Sequence, residues 1–126
     1  MNPEQLIEKY NMKLVEHLES FFQDAEVYQD AVQEDEANLT VINHVVFETG
    51  GFERTSPVTF KQDVIVYFFS ENREDLDILQ LTFMNSLSTT GHTCSKTVKD
   101  RMRKKDTEYF VDVIRFDLSR AVKHVC

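Results

Sequence analysis

Three groups of side chains in this sequence have the chemistry to act. His92-Thr93-Cys94 places two metal ligands one residue apart. A structural zinc site needs four such ligands. The other histidines, His17, His44 and His124, stand at no finger-like spacing from them, so no metal is expected. Asp63 and Asp112 form the second group, each inside an apolar run. A buried carboxylate is costly without a partner, and such positions sometimes mark active sites. The plainer expectation is an exposed strand position or a salt bridge across a sheet. The remaining acids gather at helix starts and in loops. Thr49-Gly50-Gly51-Phe52 has neither the glycine spacing nor the following Lys-Ser/Thr of a phosphate loop, and no Gly-x-Ser-x-Gly elbow occurs. No catalytic residue and no cofactor are expected, and the chain reads as a non-enzyme.

The third group is basic: Lys96, Lys99, Arg101, Arg103, Lys104 and Lys105, six cations in ten residues of a chain whose formal net charge is −8. It is either an electrostatic patch for an acidic neighbour or a solvated hairpin whose lysines discourage edge pairing. Lys96 and Lys99 fall on opposite faces of a strand, which argues against a single DNA-binding stripe. An acidic stretch, Asp24 to Glu36, could meet the basic hairpin of a second copy. Such a contact is heterologous, the kind that builds rings. The candidate contact residues are Lys99, Arg101, Arg103, Lys104 and Lys105, joined by Gly50, Gly51, Phe52 and Arg54 from a glycine-rich loop.

These groups need elements to carry them. Asn2 and Gln5 have capping-box spacing around Pro3, and Leu6, Tyr10, Leu14, Leu18 and Phe21 recur at three and four. That pattern predicts an amphipathic helix from Pro3 to Phe22. Ala25 to Ala37 is a short strand or a loop. Asn38 to Glu48 alternates as a strand. Thr49 to Pro57 reads as a long turn, because it holds two of the three glycines and one of the two prolines. Val58 to Ser70 is apolar on both faces, as in a central strand covered on both sides or meeting another subunit. A second helix, capped by Ser70 or Asn72, is expected from Arg73 to Thr90, with Leu76, Leu79, Phe83 and Leu87 inward and Ile78 and Leu81 widening the stripe. Gly91 stops it. His92 to Met102 is a polar edge strand and Thr107 to Leu118 an alternating one. The tail from Ser119 frays or forms a helical turn.

The 126 residues suit one domain, 1–126. The predicted class is α+β: an antiparallel sheet of four to five strands packed against two helices. The acidic balance disfavours sequence-independent nucleic-acid binding by the whole surface. Cys94 and Cys126 read as reduced thiols. The segment Met1 to Phe22 is too charged for a signal peptide. No apolar run reaches the length of a membrane span.

The order of elements from Val58 to Leu118 carries a resemblance. Thr59 to Ser70 is a long strand ending at a polar turn, Glu71 to Leu87 an acid-started helix, Gly91-His92-Thr93 a restart, and Tyr109 to Phe116 the closing strand. This layout resembles the tail terminator and tail completion proteins of tailed bacteriophages. It implies a homo-oligomeric ring, commonly hexameric, that stops the tail tube and docks the head connector. The implied partners are further copies, the tube protein and the connector protein, with DNA only passing through the lumen. The implied location is the virion, after assembly in the host cytoplasm. A head–tail connector or minor capsid component is a related alternative. A small ligand-binding or regulatory domain is an unrelated one.

Overall fold

The computed structural model describes residues 2–23, 25–30, 44–71, 73–103 and 110–123. Helix α1 spans Pro3–Phe21. Its start follows the expected chemistry: Gln5 N donates to Asn2 Oδ1 at 2.8 Å, and Asn2 N donates to Gln5 Oε1 at 3.2 Å. The strands are β1 (Glu26–Gln29), β2 (His44–Ser56), β3 (Thr59–Ser70), β4 (His92–Arg103) and β5 (Phe110–Lys123). Helix α2 spans Leu76–Ser86, and a single 3-10 turn, Leu87–Thr89, extends it.

The fold is α+β, with one five-stranded sheet in the order β1-β2-β3-β5-β4. It is mixed rather than wholly antiparallel, because β1 pairs parallel to β2. Every other pairing is antiparallel. β3 is central, as its two apolar faces predict, and β4 is an edge strand, as its polarity predicts.

Alternation sorts the strands into two faces. One face meets both helices. There Leu14, Leu18 and Phe22 pack with Phe83 and Leu79 over Phe47, Val66 and Phe116. Phe83 is the hub, with ring centroids 5.3 Å from Phe22 and 4.5 Å from Phe116. The other face holds a smaller buried cluster of Val46, Phe69 and Val113, which neither helix joins.

Four further expectations need correction. Residues 49–56 are strand, not turn. The reversal falls at Pro57 and Val58, and the glycines instead sit at a register irregularity between Thr49 and Phe52. Gly50 approaches the β3 backbone so closely that a Cβ there would lie 3.1 Å from the Asp63 carbonyl oxygen. Helix α2 starts at Leu76, not Arg73. Ser70 is buried at the end of β3, Asn72 lies outside the described residues, and Asp75 occupies the cap position with its carboxylate turned to Arg73 rather than to the helix backbone. Ile78 and Leu81 do not widen the buried stripe: they are 71% and 65% exposed. The tail does not fray at Ser119, since β5 runs on to Lys123 beside Thr59. Residues 38–43 of the second predicted strand, and Thr107 to Tyr109 of the last, lie outside the described residues.

Candidate functional site: two sheet margins and a buried polar row

The expected contact residues fall on two margins of the sheet. On the β2 side, the Gly50–Phe60 arm exposes Gly50, Gly51, Phe52 and Arg54, with Phe52 52% accessible. At its tip Val58 is 51% accessible. Arg54 donates to the Pro57 carbonyl at 2.9 Å and lies 4.5 Å over the Phe60 ring, which stiffens the arm.

The β4 margin holds the basic cluster. Lys99 and Arg101 point to the helix face and Lys96 to the other, as strand parity requires. Lys99 Nζ lies 2.9 Å from Asp77 of α2, and Arg101 Nε lies 3.0 Å from Asp112 of β5. Thr97 donates to Gln80 Oε1 at 2.8 Å. Two of the cluster's six cations are thus paired within the chain, and Lys99 ties α2 to the edge strand. Arg103 ends β4, while Lys104 and Lys105 lie outside the described residues. Val98 and Met102 are exposed on the face of β4 away from the helices, and Phe110 is exposed on β5, while Ile78 and Leu81 are exposed on α2.

The two aspartates behave as the plainer expectation has it. Asp63 is exposed, and Asp112 is buried and paired with Arg101. His92 and Cys94 do not converge on a site. Cys94 is half-buried, and burial pushes its thiol pKa up, away from reactive thiolate. No cluster of three metal-ligating side chains occurs among the described residues. His17 is held by Ser86: its Nε2 lies 2.7 Å from Oγ, which itself donates to the Phe83 carbonyl. Burial lowers the His17 pKa. His124 and Cys126 lie outside the described residues.

Two open clefts are lined by described residues. One, about 160 Å³, lies between Arg73, Lys99, Arg101 and the acids Glu74, Asp77 and Asp112. The other, about 240 Å³, lies on the opposite face around Lys61, Asp63, Arg115 and Asp117. Both mix cations and carboxylates in equal number, and both are smaller than an ordinary small-molecule site.

One constellation has no counterpart in the sequence reading. Gln62, Arg120 and His92 are cross-strand neighbours on the helix face of β3, β5 and β4, and all three are buried. Arg120 Nε donates to Gln62 Oε1 at 2.9 Å, and Nη1 donates to Asn11 Oδ1 at 2.7 Å. Gln62 Nε2 passes the connection on to the Gly50 carbonyl at 3.1 Å. The Tyr10 ring lies 5.6 Å from the guanidinium and edge-on to His92 at 5.7 Å. Burial pulls the Arg120 pKa below the ordinary guanidinium value. Strand alternation already contained the signal. Gln62 and Arg120 are polar gaps in otherwise apolar inward series, Phe60 to Phe68 and Ile114 to Val122.

No protein-family model matches the chain, and a search of curated proteins finds no match.

Proposed function

We propose that the protein is a non-enzymatic structural subunit that assembles with copies of itself into a ring. The role is the one its resemblance implies: closing a phage tail tube and offering the surface to which the head connector docks. The observation that supports this reading is the placement of exposed apolar side chains. Phe52 and Val58 lie on the β2–β3 arm. Val98, Met102 and Phe110 lie along the other margin of the sheet, and Ile78 and Leu81 are exposed on α2. Two unlike apolar surfaces on opposite margins of one rigid sheet suit a head-to-tail contact, and repeating that contact closes a ring. In the same reading the tube and connector proteins meet the ring's faces, DNA passes through its lumen, and the location is the virion. The assignment to a tail rests on the order of elements from Val58 to Leu118.

The arm gives the test. Phe52→Glu changes a half-exposed side chain, so the melting temperature is expected to stay within the range of an ordinary surface change. Assembly, measured by analytical ultracentrifugation, is expected to weaken at least tenfold. Unchanged assembly by the folded variant removes the arm from the interface.

A further inference from the structure

Helix α1 is attached to the sheet in two ways. Its buried apolar residues are Leu14 and Leu18, followed by Phe22 at its end. Before Leu14 no α1 residue is fully buried. That half reaches the sheet through polar contacts instead, Asn11 to Arg120 and Tyr10 against both Arg120 and His92. Gly91 completes the fit. Its φ is +81°, and a Cβ there would come within 2.6 Å of the Tyr10 ring.

We propose that this contact of Tyr10 and Asn11 with Arg120 and His92 is an acid-operated latch on the N-terminal half of α1. The proposal stands apart from the assembly reading.

The hydrogen bonds define the trigger. His92 Nδ1 lies 3.1 Å from the Thr90 carbonyl oxygen, which can only accept. The Nδ1 nitrogen therefore carries the proton, and Nε2 is the acceptor. Among the described residues Nε2 is buried without a hydrogen-bond partner, as is Nη2 of Arg120. A second proton on His92 would create a cation beside a buried guanidinium. The groups facing the ring are Arg120 from β5, Tyr10 from α1 and Thr90 from the preceding turn, with His17 acting at longer range. None of these is a carboxylate that could welcome the new charge.

Burial, and then Arg120, push the His92 pKa down from 6.5 to about 4. A histidine whose pKa is lowered in the closed state protonates first in the open one. Closure is therefore fully favoured above pH 6.5 and loses ground as pH falls from there toward 4. Lifting Tyr10 and Asn11 admits water to both cations, while Leu14, Leu18 and Phe22 keep the rest of the helix docked.

Amide hydrogen exchange tests the latch in the intact chain, with rates corrected for the intrinsic effect of pH. Between pH 7 and pH 4, protection of residues 6–11 is expected to fall roughly a hundredfold, while residues 14–21 keep theirs. His92→Gln should remove that pH dependence. Equal loss along the helix, no loss, or the same loss in His92→Gln overturns the proposal. A measurement on the unmodified protein covers the case of a poorly folding variant. The loss of protection must begin near pH 6.5 and level off at the NMR titration midpoint of His92 in the closed protein, and a loss that continues well below that midpoint also overturns the latch.

Discussion

Two cross-strand rows of the same sheet lie under the same helix layer and hold it by different physics. One row is Phe47, Val66 and Phe116, paired directly across β2, β3 and β5 and fully buried. The other is Gln62, Arg120 and His92 across β3, β5 and β4. The apolar row draws on area removed from water, which has no direction and no pH dependence. The polar row depends on each group keeping its partner, since a buried polar atom left alone loses its hydration for nothing in return. The first therefore tolerates changes of shape but not of volume. The second tolerates neither the loss of a partner nor a change of protonation.

The largest effect belongs to the apolar row. Phe116→Ala removes a side chain touching Phe83 at the centre of the core. It should cost about 3–5 kcal/mol in chemical denaturation, with no dependence on pH. A cost under about 1 kcal/mol would mean that the centre is loosely packed. Next comes the polar row. Gln62→Leu has similar volume but leaves the Arg120 Nε–H and the Gly50 carbonyl without their partner. A loss of about 1–3 kcal/mol is expected. A neutral or stabilising result would place Gln62 outside the network. The smallest effect belongs to the β4 margin. Lys99→Ala deletes an exposed ion pair with Asp77, and its cost should stay near 0–0.5 kcal/mol and shrink with salt. A larger cost would make the pair part of the support of α2.

The apolar row was legible in the sequence and the polar row was not. Helix α1 announces itself through the Asn2–Gln5 capping box and the Leu14–Leu18 spacing, because capping and amphipathic burial are local or periodic. β3 and β5 show themselves by alternation. Gly50 and Gly51 mislead, since a bulge and a turn both favour residues without a Cβ, and only the pairing of Phe52 with Gln62 separates the two. The acids from Glu71 to Asp75 mimic a first helical turn, although the backbone turns helical only at Leu76. Arg120 hid the end of β5. Alternation puts Arg120 on the inward face, but the partners that make its burial tolerable, Asn11 and Tyr10, lie more than a hundred residues earlier. The exposure of Ile78 and Leu81 was equally hidden, because helix periodicity does not say where a buried stripe stops.

In the proposed ring the exposed margins are covered by further copies of the chain. Sedimentation equilibrium across a range of concentrations measures this most directly. The account predicts a mass that rises from the 14.8 kDa of one chain to a fixed small multiple and then stops, as a closed ring must. A mass of one chain at every concentration would contradict it.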